Sequence, residues 1–353
     1  MQLLTVEDLK VSFPTPDGVV EAVRGVSFSV DRGKTLGIVG ESGSGKSVAT
    51  QTIVGLNPGG KVSGQARFEG RDLLTMGRDE LRRLRGAEIG MIFQDPLSSL
   101  HPYYRVGWQI MEMIRNHTDM TKRQARQRAI ELLELVRIPQ PHRRVDDYPF
   151  QFSGGMRQRA MIAMALALNP KLLIADEPTT ALDVTVQAQI MELMQRLQDE
   201  FDIAIILITH DLGVVADVAD EVLVMYAGKP MEVADRRSLY YRPHHPYTVG
   251  LLESLPRPTN KGQRLKPITG QPPSLIHPPQ GCPFHPRCPY VMDRCVSEMP
   301  PLDDADGGVA GHRSACWLPS DIAGASPELD AQRLDVAQRN RTAVAAAPEG
   351  GAR

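Results

Sequence analysis

The 353-residue sequence lacks any long apolar run, and this excludes a predicted membrane-spanning helix. Its richest apolar stretches, residues 161–168 and 203–208, are far shorter than the roughly 18 to 20 residues that cross a bilayer. The N-terminus also lacks the basic segment and apolar core of a signal peptide. Neither sign of charge is in excess, since the formal net charge is −2, so nothing draws the whole chain to nucleic acid or anionic lipid. We therefore expect a cytoplasmic chain that reaches a membrane only through other subunits.

Cysteine is absent from the first 281 residues, and the four that follow have the spacing C-x5-C-x6-C-x20-C. They are Cys282, Cys288, Cys295 and Cys316. In a reducing compartment such a cluster favours metal or cluster binding over disulfides. The spacing differs from the C-x2-C pairs of common zinc fingers and leaves an iron–sulfur cluster, zinc and free buried thiols open.

Strand and helix patterns alternate over residues 1–240, which predicts an α/β domain with a mostly parallel sheet core. Strands are expected at 3–11 and 23–30, as an N-terminal antiparallel β part, and a helical subdomain at about 95–165. Residues 241–320 are dense in proline and predict a loop-rich C-terminal extension. Residues 321–353 have few large apolar side chains, and we expect a disordered tail there. The sequence has no internal repeat, so only one such α/β domain is expected.

Residues 40–47 read Gly-Glu-Ser-Gly-Ser-Gly-Lys-Ser and match the phosphate-binding loop G-x-x-x-x-G-K-[ST]. An apolar strand pattern precedes the loop and a helical pattern follows it, as the motif requires. The glycines let backbone N–H groups face phosphate oxygens, and the helix N-terminus adds positive potential. We expect Lys46 to bridge the β- and γ-phosphates and Ser47 to ligate Mg²⁺. The predicted ATP-binding residues of the loop are Gly40, Ser42, Gly43, Ser44, Gly45, Lys46 and Ser47.

Two acids follow the apolar strand pattern of residues 172–175. Asp176 is placed to complete the Mg²⁺ shell, and Glu177 to act on the attacking water as a general base. Acids at a strand end are common as caps, so this interpretation depends on the phosphate loop upstream.

The segment 153–155, about two dozen positions before Asp176, resembles the signature sequence L-S-G-G-Q of ABC ATPases. Phe152 stands for the Leu and Met156 for the Gln. The resemblance implies that three retained residues face the γ-phosphate of an ATP bound to a second ATPase domain: Ser153, Gly154 and Gly155.

Other segments follow in the order of that family, and the resemblance implies their roles. Gln94 looks like the Q-loop glutamine that senses Mg²⁺, and Asp183 lies in a segment similar to the D-loop. His210 looks like the switch histidine that contacts the γ-phosphate. Phe13 stands where the family places an aromatic side chain against adenine.

Four further segments, 93–100, 225–228, 245–248 and 281–289, resemble the branch of bacterial dipeptide and oligopeptide ABC importers, and within it the D-type ATP-binding subunit. The resemblance implies an ABC-type P-loop ATPase that uses ATP and Mg²⁺. It also implies a 4Fe–4S cluster on the four cysteines, which would staple the proline-rich extension.

The same resemblance implies two transmembrane permease subunits, a second ATPase subunit of the same or a different kind, and an extracytoplasmic peptide-binding protein. Nucleic acid is not an expected partner. The chain would act at the cytoplasmic face of the inner membrane. Dipeptides or oligopeptides are the expected cargo, with nickel, glutathione or a peptide-like antibiotic as alternatives. A soluble ABC ATPase serving DNA repair or ribosomes is the alternative from another class, but this sequence lacks the long heptad stretch or second motor domain typical of those proteins.

Overall fold

The protein is described by a computed structural model that covers residues 2–180, 182–255, 267–305 and 311–318. The expected tail at 321–353 lies outside these residues. The chain divides into two compact units. The first unit holds Met1–Lys229 and Ser274–Pro278, and the second holds the described parts of Pro230–Pro273 and Pro279–Arg353. No described helix is both long enough and apolar enough to cross a bilayer.

The first unit contains two sheets. Its strands are β1 (Gln2–Thr15), β2 (Gly18–Asp31), β3 (Thr35–Val39), β4 (Lys61–Phe68), β5 (Arg71–Asp72), β6 (Ile89–Ile92), β7 (Leu172–Asp176), β8 (Ala204–Thr209) and β9 (Glu221–Tyr226). Strands β2, β1, β4 and β5 form an antiparallel sheet in that order. Strands β9, β3, β8, β7 and β6 pair in parallel in that order.

The parallel sheet explains why the apolar strand patterns show no alternation. Every residue of β3, β7 and β8 is buried, as expected for parallel strands that are covered on both faces. Strand β8 lies between β3 and β7, with Val39 opposite Thr209 and Asp176 opposite Ile208. The segments after β3, β7 and β8 therefore leave the same edge of the sheet side by side.

Helices of the first unit follow these strands. They are α1 (Lys46–Ile53), α2 (Arg78–Ala87), α3 (Pro96–Ser99), α4 (Val106–His117), α5 (Lys122–Leu135), α6 (Pro141–Arg144), α7 (Gly154–Ala165), α8 (Val184–Phe201) and α9 (Leu212–Val218). Helices α4, α5 and α7 pack together in the long connection between β6 and β7. Helix α5 begins with a capping box, in which Thr121 and Gln124 satisfy each other's backbone N–H groups, and it buries the apolar stripe of Ala125, Ala129 and Leu132.

The second unit contains little regular secondary structure. Its elements are β10 (Lys229–Asp235), α10 (Arg236–Tyr241), α11 (Pro246–Glu253), α12 (Asp293–Ser297), β11 (Asp303–Asp304) and β12 (Arg313–Ser314). Strand β12 pairs antiparallel with both β10 and β11.

A buried carboxylate lies at the centre of the second unit. Glu232 is fully buried and accepts hydrogen bonds from the backbone N–H groups of His244 at 2.7 Å and His245 at 2.9 Å. The ring Nε2 of His312 lies 2.7 Å from Glu232 Oε1, the same oxygen that accepts from His244. Burial raises the pKa of Glu232, but the hydrogen bonds from His312 and the backbone outweigh burial, so its pKa lies below the ordinary value of 4.5.

His245 starts α11, and its ring Nδ1 accepts a hydrogen bond from the backbone N–H of Tyr247 at 3.0 Å. The side chain is buried, and this burial lowers the pKa of His245 from 6.5 to about 4, against the attraction of Glu232. The imidazole is therefore neutral at pH 7, in the tautomer that leaves Nδ1 free to cap the helix.

The 4Fe–4S prediction is wrong for the described residues, and the zinc alternative also lacks a site there. No group of three or more His, Cys, Asp or Glu side chains in them is arranged to hold a metal ion. All four cysteines are free thiols. They line one cavity of about 10 Å³, which has room for at most a single water molecule.

Burial also sets the protonation state of the thiols. Burial raises the pKa of Cys282 to about 12 and the pKa of Cys316 to about 11. Without a bound metal ion, Cys282 and Cys316 are therefore protonated at neutral pH.

Candidate active site at the edge of the parallel sheet

The phosphate loop connects β3 to α1 in a backbone shape that only glycine allows at two positions. Gly40 has φ 151°, and a Cβ there would lie 2.1 Å from the carbonyl oxygen of Met225. Gly45 has φ 95°, and its Cβ would lie 2.3 Å from the carbonyl oxygen of Ala22. Any side chain at either position would force the loop away from its neighbouring strands.

Within the loop, Ser42 and Gly43 are exposed at the tip, whereas Ser44, Gly45 and Lys46 are buried at its base. The ammonium group of Lys46 is enclosed by the loop. Its Nζ donates hydrogen bonds to the carbonyl oxygens of Gly40 at 2.7 Å and Glu41 at 2.9 Å, and it lies 3.4 Å from Ser44 Oγ.

Burial lowers the pKa of Lys46, although the carboxylates of Glu177, Asp176 and Glu41 act in the opposite direction. The loop thus holds a desolvated cation at the centre of its concave side. Such a cation is suited to a phosphate group.

Asp176 ends β7 and connects that strand to α1. The hydroxyl of Ser47 donates to Asp176 Oδ1 at 2.7 Å, and the side-chain amide of Gln51 donates to Oδ2 at 3.2 Å. Burial raises the pKa of Asp176, while the bonds from Ser47 and Gln51 lower it. A hydroxyl oxygen and a carboxylate oxygen at 2.7 Å from each other form the oxygen pair that Mg²⁺ prefers. These residues therefore fit the Mg²⁺ site expected from the sequence.

Glu177 lies next to this pair and is held from three directions. Its Oε2 accepts hydrogen bonds from Gln94 Nε2 at 3.0 Å and from the hydroxyl of Thr180 at 2.8 Å. Its Oε1 lies 3.4 Å from Nδ1 of His210. The backbone of Glu177 is left-handed, with φ 46°, and its N–H donates to the carbonyl oxygen of Ile208 at 2.8 Å. This backbone shape is costly for a non-glycine residue and turns the carboxylate out of the strand direction.

The structure therefore brings together five residues that the sequence predicted from four separate segments. They are Gln94 after β6, Asp176 and Glu177 at the end of β7, His210 after β8, and Ser47 at the start of α1. Glu177 is mostly buried, at 15% exposed, whereas His210 is 59% exposed and leaves one side of the site open.

The signature segment occupies a different place. Ser153 caps α7, because its Oγ accepts a hydrogen bond from the backbone N–H of Met156 at 3.3 Å. Ser153 and Gly154 are exposed, so the N–H groups that begin α7 face solvent. A Cβ on Gly155 would lie 2.9 Å from Val186, so the start of α7 packs closely against α8.

Asp183 caps α8, and its Oδ1 accepts from the backbone N–H of Val186 at 2.9 Å. Asp183 therefore stabilises the start of this helix. Phe13 lies in β1 opposite Val20, and its ring is half-buried against Gly60, since a Cβ on that glycine would lie 2.9 Å from the ring.

Two residues of the site were missed by the sequence analysis. Gln51 is four positions after Ser47, so both lie on one face of α1, and this spacing is the signal that was available. Thr180 is three positions after Glu177 in a turn, where Thr is too common to stand out.

Comparisons with known proteins agree with this geometry. Residues 23–180 match the family model described as ABC transporter, and residues 231–295 match the model described as the C-terminal region of oligopeptide/dipeptide transporters.

The oligopeptide transport ATP-binding protein OppD of Escherichia coli (strain K12) is 52% identical over 318 residues, which cover 90% of this chain and 93% of that protein. The dipeptide transport ATP-binding protein DppD of Bacillus subtilis (strain 168) is 52% identical over 320 residues, which cover 90% of this chain and 95% of that protein.

Among solved structures, a dimeric post-hydrolysis state of the ATP-binding cassette MJ0796, bound to ADP and Pi, has a TM-score of 0.60 and 27% identity. The alignment covers 66% of this chain and 99% of that chain. The α/β ABC ATPase fold predicted from the sequence is thereby confirmed.

Proposed function

Because the chain belongs to the family of oligopeptide and dipeptide transport ATP-binding proteins, we propose that it is the ATPase subunit that powers peptide import by an ABC transporter. This proposal is supported by two features that occur together in this chain. An ATP-hydrolysis site is assembled at the edge of the parallel sheet, and residues 231–295 match the C-terminal region of peptide transporters.

ATP binding begins at the phosphate loop. Lys46 holds two carbonyl oxygens of its own loop, and in the proposed cycle it exchanges them for phosphate oxygens. Ser47, Asp176 and Gln94 would hold Mg²⁺, which supplies charge neutralisation for the phosphates when bound. Phe13 would contact the adenine ring.

Hydrolysis is assigned to Glu177. Its carboxylate takes a proton from the attacking water, while Gln94 and Thr180 fix the orientation of Oε2. His210, which is exposed beside Oε1, would contact the γ-phosphate.

The exposed start of α7 supports a paired arrangement. Ser153 and Gly154 present a helix N-terminus to solvent, and such a terminus attracts phosphate. We propose that these residues and Gly155 complete the ATP site of a second ATPase subunit, either a related protein or a second copy. The MJ0796 cassette, which has a similar fold, is dimeric.

An exposed aromatic patch in the helical region is the proposed contact with the permease subunits. Tyr103 is 82% exposed, Tyr104 46% and Trp108 42%. The rings of Tyr104 and Trp108 stack at 4.4 Å, so the patch has a fixed shape. Exposed aromatic side chains of this kind are enriched in protein interfaces. We place the chain at the cytoplasmic face of the inner membrane, with two permease subunits and an extracytoplasmic peptide-binding protein.

The test is purification of this chain with its bound partners from native membranes, followed by reconstitution into liposomes. Mass spectrometry identifies the partners, and uptake of a labelled dipeptide and a labelled tetrapeptide is measured with ATP inside or outside. We expect two multi-span proteins, a second ATPase and ATP-dependent peptide uptake. Recovery of soluble nucleic-acid or ribosomal proteins alone would contradict transport and leave only the ATPase.

A further inference from the structure

The antiparallel sheet of the first unit carries a groove of about 450 Å³ that the proposed ATPase cycle does not use. It is formed by β1, β2 and β4 together with Lys229. No residue of the phosphate loop and neither Asp176 nor Glu177 lines it. Four cations line this groove: Lys10, Arg24, Lys61 and Lys229.

Two of these cations are compensated by carboxylates. Lys10 Nζ lies 2.7 Å from Asp8, and Arg24 Nε lies 3.2 Å from Glu21. Arg24 is held further by its Nη1, which donates to the carbonyl oxygen of Ala227 at 3.5 Å.

Lys61 and Lys229 have no ion pair within the part of the chain that the structure describes. Lys229 is half-buried, and burial lowers its pKa, as do the neighbouring charges of Arg24 and Lys10. Asp8 and Glu21 act in the opposite direction on the pKa of Lys229, and Glu21 also lines the groove. Counting Lys10 with Asp8 and Arg24 with Glu21 as neutral pairs leaves Lys61 and Lys229, a surplus of two positive charges suited to a dianion.

The other residues that line the groove indicate which chemical groups a ligand would need. The hydroxyl groups of Ser12 and Ser63 offer hydrogen-bond donors beside the cations. Val62, which is 40% exposed, offers an apolar wall. A groove of this volume accommodates a small organic molecule and not only an inorganic ion.

We propose that this groove binds a phosphate monoester, with the dianionic phosphate contacting Lys61 and Lys229 and the organic group lying against Val62. Ser12 and Ser63 donate hydrogen bonds to it. The same chemistry occurs in soluble metabolites and in the headgroup of a phosphatidic acid lipid, and the experiment separates these two sources.

Calorimetric titration of the purified full-length chain with glucose 6-phosphate tests the proposal. The groove is joined to the phosphate loop, because Gly228 N–H donates to the Ser44 carbonyl oxygen at 3.0 Å. The titration is therefore run with the ATP site saturated by a non-hydrolysable ATP analogue and Mg²⁺. A parallel arm measures co-sedimentation with vesicles that contain phosphatidic acid, against vesicles of phosphatidylcholine alone.

We expect saturable binding in at least one arm, weakened at least tenfold by Lys61→Gln combined with Lys229→Gln, since charged hydrogen bonds are lost. Lys122→Gln, at an exposed lysine of α5, serves as the matched control and should bind as the unmodified chain does. Glucose 6-phosphate binding assigns a soluble ligand, and vesicle binding alone assigns the lipid headgroup.

Three results would overturn the proposal: no saturable binding in either arm, equal binding by the double variant, or tighter binding of a hexaglutamate peptide than of either phosphate. ATP-analogue affinity is measured for every variant. A parallel loss of that affinity in the double variant would assign the groove to the ATP site itself and would also overturn the proposal.

Discussion

Replacement of Glu177 by Gln separates ATP hydrolysis from ATP binding. Gln has the size and shape of Glu but cannot take a proton from water. Its amide oxygen can still accept from Gln94 Nε2 and the Thr180 hydroxyl, the two donors that hold Oε2 at 3.0 and 2.8 Å. The amide NH₂ then faces His210 Nδ1, which lies 3.4 Å from Oε1. The substitution therefore keeps the packing and the local hydrogen bonds.

The expected magnitudes follow from this geometry. Loss of a general base costs about 10²- to 10⁴-fold in rate, or roughly 3 to 5 kcal/mol of activation free energy. Two hydrogen bonds change from charged to neutral acceptors, which should cost no more than about 1 kcal/mol of folding free energy. Removal of a negative charge beside the γ-phosphate should leave ATP affinity unchanged or raised.

The assay combines steady-state phosphate release by the purified complex, equilibrium binding of a fluorescent ATP analogue and thermal unfolding. Glu192→Gln is the matched control, because it makes the same chemical change at an exposed acid that pairs with Arg137. Phosphate release by the Glu177 variant within threefold of the unmodified complex would remove Glu177 as the base. Loss of ATP binding together with slow release would instead assign it a structural role.

Three further predictions test other parts of the molecule. Gly40→Ala should abolish binding of the ATP analogue, because its Cβ would lie 2.1 Å from the Met225 carbonyl oxygen. The Cβ of Gly43→Ala would meet nothing within 4 Å, but a φ of 79° is unfavourable for alanine, so this variant should weaken binding less than Gly40→Ala does in the same titration. Since burial lowers the pKa of His245 from 6.5 to about 4, the unfolded chain takes up a proton in this window that the folded chain does not. The free energy of unfolding should therefore have its full value above pH 6.5 and fall by about 3 kcal/mol as the pH falls to 4, as urea unfolding curves over a pH series would show. His245→Asn keeps a helix-capping side chain and should remove most of this pH dependence. Burial raises the pKa of Cys282 to about 12, so its thiol should resist alkylation by iodoacetamide at pH 7 until urea unfolds the chain. Peptide mass mapping of the alkylated protein would show this.

The sequence predicted which residues meet at the edge of the parallel sheet better than it predicted strand lengths. The phosphate loop and the acids after β7 are short motifs whose chemistry depends on adjacent residues, so local pattern was sufficient. Strands β1 and β2 were predicted at 3–11 and 23–30, yet they span Gln2–Thr15 and Gly18–Asp31. Residues 12–22 lay outside the predicted strands, but cross-strand pairing continues through Phe13 opposite Val20 to Thr15 opposite Gly18. Tertiary pairing here outweighs local preference.

Side chains that support the site from a distance could not be predicted in the same way. His210 was assigned to the site only by resemblance to the family, because the contact of its ring Nδ1 with Glu177 requires β8 to lie beside β7, and no sequence pattern reports strand order directly. The role of Thr180 likewise depends on the left-handed backbone of Glu177, which turns its carboxylate back over the following turn.

The cysteines show where the family resemblance misleads, because their spacing alone left three alternatives open and the resemblance implied the 4Fe–4S cluster. Their sequence pattern carries no information about burial, and burial keeps Cys282 and Cys316 protonated beside a cavity of about 10 Å³. The 4Fe–4S cluster was expected to hold together a proline-rich extension that has little hydrophobic core of its own. In the structure, Glu232 fills that role, because it gathers the N–H groups of His244 and His245 and the ring of His312 from 80 residues away. A fully buried carboxylate is costly unless each of its oxygens is satisfied, so this single side chain requires its partners to fold around it.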